Sequence, residues 1–103
     1  MDPTTVITLL NAHRARLSAR GVRRLSLFGS AARGESQDSS DIDLAFVPGE
    51  TFSRGGFDYF AKVDELRSEL SAIVHRPVDL VDELAVKPAM KAQIDRDRVI
   101  AFE

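Results

Sequence analysis

The chain has 103 residues, no cysteine, 44% hydrophobic and 29% charged residues, and a net charge of −2. That length suits one core and a single domain spanning 1–103, the missing thiols exclude disulfides and thiolate metal sites, and the near-neutral balance gives no reason to expect a direct nucleic-acid partner. No apolar run approaches the ~18 residues of a membrane span and the N-terminal MDPTTVITLL lacks a basic leader, so a cytoplasmic protein with no membrane partner is expected.

Asp2-Pro3 reads as an N-cap and first-turn pair, and Val6, Leu9, Leu10, His13 and Leu17 continue at helical spacing to a stop at Gly21. Val22 to Phe28 then reads as a strand with Leu25 and Leu27 on one face. A short helix is expected from Ser30, its N-cap, to Gly34. The polar ESQDSS forms a surface loop into a strand from Asp41 to Val47, which Pro48-Gly49 stops. Thr51 to Gly56 is the most flexible-looking stretch. From Phe57 to Val74 the pattern is helical, with Phe60, Val63, Leu66, Leu70, Ile73 and Val74 on one apolar face and Tyr59 on the surface. Pro77 precedes a strand from Val78 to Val81, Lys87-Pro88 opens a last helix to about Arg96, and Val99 to Phe102 adds a short strand or tail. Alternating helices and strands predict an α/β fold, with helices packed on a small mixed sheet.

The chemistry gathers in LSLFGSAARGESQDSSDIDLAFV, where Gly29-Ser30 follows one strand and Asp41-Ile42-Asp43 begins the next. A small pair at a strand-to-helix turn lets backbone N–H groups and a hydroxyl approach phosphate oxygens. Aspartates at i and i+2 on a strand project from one face, about 6.5–7 Å apart, and their carboxylates can share divalent cations. Hard oxygen donors beside phosphates favour magnesium, with two ions expected. The bland alternatives are an edge strand with a solvated polar face for Asp41 and Asp43, and a plain helix cap for Ser30. Arg33, one turn along, either reaches a phosphate or faces solvent. No Gly-Lys-[Ser/Thr] loop and no Gly-x-Gly-x-x-Gly is present, which removes those two nucleotide-binding classes. His13 and His75 lack ligand spacing and read as structural, whereas Lys87 and Lys91 fit either solvent or phosphate.

Gly29-Ser30, ten residues, Asp41-x-Asp43 and a later carboxylate strand, PVDLV, resemble the pattern of the polymerase-beta-type nucleotidyltransferases. The likeness is to their minimal nucleotidyltransferase branch, whose members are antitoxins of prokaryotic toxin–antitoxin pairs. The resemblance implies a palm-like fold and phosphate binding by Gly29, Ser30 and Arg33. It also implies that Asp41, Asp43 and Asp79 are the catalytic metal ligands, with Asp82 a weaker rival to Asp79. An isolated carboxylate in the apolar strand around Asp79 would be costly to bury, so a cation or, in the structural alternative, an arginine should face it. The substrate implied is ATP, and the acceptor is a tyrosine of a partner HEPN-type RNase toxin that receives AMP. Larger relatives carry a further domain to hold the acceptor, and these residues leave no room for one. A docked protein is therefore expected to present the hydroxyl, bordered by the Thr51 to Gly56 loop. Two alternatives stay open: neutralisation of the partner by binding alone, and transfer to a small hydroxylated molecule.

Overall fold

The computed structural model describes residues 2–35, 37, 40–52 and 56–103, with no side-chain detail at 56 and 57. Asp2 accepts a hydrogen bond from the Thr5 amide at 2.8 Å and, with Pro3, starts helix α1, Pro3–Ala12. The single leading helix expected from the sequence is interrupted at His13. There the imidazole Nδ1 lies 3.0 Å from the Leu9 carbonyl and the His13 amide turns to Leu10 instead, also at 3.0 Å. The chain resumes as α2, Arg14–Ala19. A side chain that takes the carbonyl one turn back breaks the backbone ladder locally.

Four strands follow the expected positions closely: β1, Val22–Phe28; β2, Ile42–Pro48; β3, Val78–Asp82; and β4, Val99–Phe102. They lie in the order β3-β2-β1-β4, with β1 antiparallel to β2 and β4, and β2 parallel to β3. The sheet is therefore mixed, and β2 is internal. That corrects the edge-strand alternative for the two aspartates, because β2 is paired on both sides. Alternation sends Leu25, Leu27, Ile42, Leu44, Phe46 and Val78 to one face. There they pack against Val6, Leu10 and Leu17 of α1 and α2 and against Leu66, Leu70 and Val74 of α4, Gly56–Val74. Each such large side chain contributes about 1.5–3 kcal/mol on burial. The other face carries Phe28 and Ala45 beneath Ile94 of α5, Pro88–Asp97, with Val81, Val86 and Met90 partly buried around them. Among the described residues no helix is long and apolar enough to cross a membrane.

Two sequence readings are corrected here. Phe60 is 71% exposed, whereas Tyr59 packs edge-on to Phe52 and donates its hydroxyl to Asp82 Oδ2 at 2.7 Å. The inward stripe of α4 thus runs Tyr59, Val63, Leu66, Leu70 and Ile73–Val74, spaced by fours and threes, and Phe60 falls one residue off it. The hydroxyl finds a partner at the rim, which lets the ring serve as core. Phe52, in the stretch expected to be loose, is buried against Phe46. Its backbone crosses Gly21 so closely that a Cβ there would lie 2.6 Å from Phe52 Cα, and Gly21 also has φ +98°. The remainder of that stretch, 53–55, lies outside the described residues.

The α5 face also holds a polar cluster that no local pattern signals. Glu83 is buried and accepts hydrogen bonds from Arg98 at 2.8 and 2.5 Å and from Arg24 at 2.7 Å, while Lys91 stands 3.6 Å away. Arg98 also donates to the buried Ser26 hydroxyl at 2.8 Å. The end of β3, helix α5 and β1 are joined through this one carboxylate.

Candidate active site

Strand β1 delivers the chain directly into helix α3, Gly29–Ala32. Gly29 has φ +72°, and a Cβ there would collide with the Asp43 carboxylate and sit 3.2 Å from its Cγ. Glycine is therefore needed for both the backbone angle and the approach to Asp43. The N-cap is Phe28, not Ser30. Because β1 stays extended through Phe28 and turns only at Gly29, Ser30 lies inside the first turn, half-buried, and its carbonyl accepts the Glu35 amide at 2.8 Å.

The register of the sheet groups the carboxylates. Phe28 is paired with Asp43, and Asp43 with Asp79, so the Gly29 turn and the two strand aspartates meet at one end of the sheet. Parallel neighbours are about 4.8 Å apart. Asp41 stands one residue before β2 rather than within it, because the ladder begins at Ile42, whose amide donates to the Pro77 carbonyl at 2.9 Å. Ile42 and Leu44 are buried on the face packed by α1, α2 and α4, which leaves Asp43 on the opposite one, with Asp41 near enough for its charge to act on it. Asp79 is exposed on edge strand β3, so the expected burial cost does not arise there. Among the described residues Asp79 enters no ion pair, and Arg76 donates instead to the Gln37 and Ser40 carbonyls just before Asp41. Sequence reasoning missed Arg76, whose role depends on carbonyls more than thirty residues away.

Burial raises the Asp43 carboxyl above its usual 3.8, the negative charges of Asp79 and Asp41 raise it further, and Arg33 alone pulls it back. This arrangement is a cluster of like charges that, among the described residues, only the Arg33 charge offsets. Among the described residues no three ligating side chains close around a cation unaided. Magnesium needs no such cage, since it binds through one or two carboxylates completed by substrate phosphates and water. The all-oxygen donor set fits that ion.

Arg33 is engaged on both sides. Its Nε donates to Glu35 at 2.6 Å and its Nη1 to Asp97 at 2.7 Å. Asp82 is held by Tyr59 and by the Leu84 amide at 2.9 Å, which removes it as a rival to Asp79 in this arrangement. Lys91 pairs with Asp95 at 2.6 Å, Lys87 is the exposed N-cap of α5, and His75 is a surface residue at φ +58°. Two surface grooves of about 440 and 570 Å³ are lined by other residues, among them Arg23 and Leu84 in one and His13 and Glu69 in the other. Asp41 and Asp79 are exposed and Asp43 is half-buried, so the carboxylates form an open shelf at the sheet end.

A mixed sheet that brings a Gly-Ser turn against a strand Asp-x-Asp pair is the architecture of the polymerase-beta-type nucleotidyltransferases. Residues 14–103 match the family described as polymerase beta, nucleotidyltransferase, and the chain belongs to that family. Within it the similarity is to minimal members. The chain is 33% identical over 93 residues to the protein adenylyltransferase MntA of Thermococcus cleftensis, covering 89% of this chain and 88% of that protein. Its fold superposes on a solved structure assigned as a minimal nucleotidyltransferase with a TM-score of 0.77 and 27% identity, over 96% of this chain and 95% of the other. It also superposes, with a TM-score of 0.60 and 20% identity, on a structure of a tri-AMPylated Shewanella oneidensis HEPN toxin in complex with MNT antitoxin, over 90% of this chain and 70% of that one. At that identity the likeness is one of fold.

Proposed function

We propose that this nucleotidyltransferase is a cytoplasmic antitoxin that transfers AMP from ATP to a tyrosine hydroxyl of a partner HEPN-type RNase toxin. The observation that carries the reading is the close approach of Gly29 to Asp43, itself in register with Asp79, so that a glycine turn adjoins two carboxylates. The protein acceptor is supported by the adenylyltransferase name of the Thermococcus relative and by the AMPylated toxin held by the antitoxin of similar fold.

In this mechanism the Ser30 hydroxyl and the backbone amides of the Gly29–Ala32 turn hold the triphosphate. Asp41, Asp43 and Asp79 are the residues that would bind magnesium, two ions in all. When bound, the metal neutralises the triphosphate and the pyrophosphate that leaves. Asp79, exposed beside Asp43, orients the acceptor hydroxyl and takes its proton. The hydroxyl oxygen forms a bond to the α-phosphorus as the bond to pyrophosphate breaks in line. Asp43 and Asp41 would act on the reacting phosphate through the magnesium they hold, so the rate gain would come mainly from positioning and charge.

The test is mass spectrometry of the co-purified partner toxin after incubation with ATP and magnesium. An adenylyl group on a partner tyrosine, absent when Asp41→Asn is used, supports the reading. A stable complex with an unmodified partner would mean neutralisation by binding alone, and an adenylylated small molecule beside an unmodified partner would overturn the protein acceptor.

A further inference from the structure

Helix α3 cannot hold its own orientation. It is four residues long, has no side-chain N-cap, and starts at a glycine with positive φ. It nevertheless has to keep Gly29 against Asp43. The brace comes from the far end of the chain. Arg33, the C-cap of α3, donates through Nη1 to Asp97 Oδ2 at 2.7 Å, and the Asp97 side chain is only 5% exposed. The second acceptor, Glu35, is 62% exposed and so contributes little. Arg96 stands 3.8 Å from Asp97 and is itself 70% exposed, which, among the described residues, leaves Arg33 as the partner that satisfies the desolvated carboxylate.

Asp97 is in turn fixed. It is the last residue of α5, whose Ile94 is buried with Phe28 and Ala45, and the next residue, Arg98, is bonded to Ser26 and Glu83. A continuous chain of contacts therefore runs from the second core through Asp97 and Arg33 to the Gly-Ser turn. We propose that Asp97, acting through Arg33, is the positioning residue for the nucleotide-binding turn, and that Arg33 serves as its link and not as a phosphate ligand. The proposal rests on nucleotide binding at Gly29, Ser30, Asp41 and Asp43.

A double-mutant cycle tests it. ATP affinity in the presence of magnesium is measured by direct titration for the wild type, Asp97→Asn, Arg33→Gln and the double variant, beside transfer kinetics and circular dichroism. Asn is isosteric with Asp, and Arg33 is partly exposed, so both singles should fold. A turn displaced from Asp43 should weaken ATP binding by about ten- to a hundredfold, with KM raised and kcat nearly unchanged. Both singles should show the same loss, and the double variant should be no worse than either. A loss with Arg33→Gln but none with Asp97→Asn would make Arg33 a direct phosphate ligand and overturn the proposal. So would a fall in kcat that merely tracks the folded fraction. Wild-type ATP binding that the variants retain in full sinks the positioning role alone, whereas a wild type that binds no ATP removes the nucleotidyl-transfer reading as well.

Discussion

Asp43 is held in a conflict that a metal-bound nucleotide would resolve. Its folded pKa lies above 3.8 because burial, then Asp79, then Asp41 disfavour the charged form. A group raised in this way contributes stability below its unfolded value and loses it as pH rises through the folded pKa. In metal-free protein near pH 7, ionised Asp43 is therefore a net cost. Asp41→Asn with Asp43→Asn should leave the melting temperature in chelator unchanged or higher, with any gain fading as pH falls towards 3.8. Transfer should fall on the order of 10⁴-fold or more, and unchanged transfer by a folded double variant would refute the site. Gly29→Ala should cost about 1–2 kcal/mol from backbone angle alone and also displace the Asp43 carboxylate, so urea melts and ATP titration should both register it. These residues were legible because Gly-Ser and Asp-x-Asp are local patterns with a fixed strand period. Asp97 was not, since its partner Arg33 lies 64 residues away and its acidity alone marks nothing.

At the scale of elements, strand positions were readable from β-branched and apolar alternation, and α4 from its period. The phase of α4 was not, because Phe60 is the more apolar residue, and the Asp82 acceptor that lets the Tyr59 hydroxyl end at the rim lies on strand β3. Nor was the break at His13, which depends on a side-chain bond to Leu9. The same limit hid the Glu83 clamp that holds α5 over the sheet. Hydrogen bonds from Arg98, then the charges of Arg98 and Arg24, lower the Glu83 pKa from 4.5 against its burial. Its contribution is therefore present above 4.5 and is lost as pH falls through the folded value. Glu83→Gln removes the buried counter-charge of Arg98 and Arg24, leaving them the more exposed Asp95 and Glu103, and should cost about 3 kcal/mol near neutral pH. The gap between variant and wild type should close in acid, and urea titrations at several pH values would detect a pH-independent difference that contradicts this account. Because α5 carries Asp97, the variant should weaken ATP binding as well.

Across the whole molecule the two sheet faces do different work. One is closed by α1, α2 and α4 over a continuous apolar core, and the other combines a small core, the Glu83 cluster and the carboxylate shelf. The shelf draws on segments around 29–30, 41–43 and 79, braced from 97, so a ligand that spans it engages β1, β2 and β3 together and binds only the folded chain. Linkage then converts affinity into global stability, about 2.7 kcal/mol when free ligand is 100 times its Kd. For a domain of this size that corresponds to a rise of about 10 °C or more in melting temperature. ATP with magnesium should produce that rise in the wild type, while magnesium alone should produce a smaller one by relieving the repulsion at Asp43. ATP with chelator should shift it little, because triphosphate charge then faces three unneutralised carboxylates. In the Asp41→Asn, Asp43→Asn variant the magnesium-dependent part should vanish, although the Gly-Ser turn is intact. An equal stabilisation by ATP with and without magnesium, in both proteins, would place the nucleotide away from the carboxylates and separate the fold from the chemistry assigned to it.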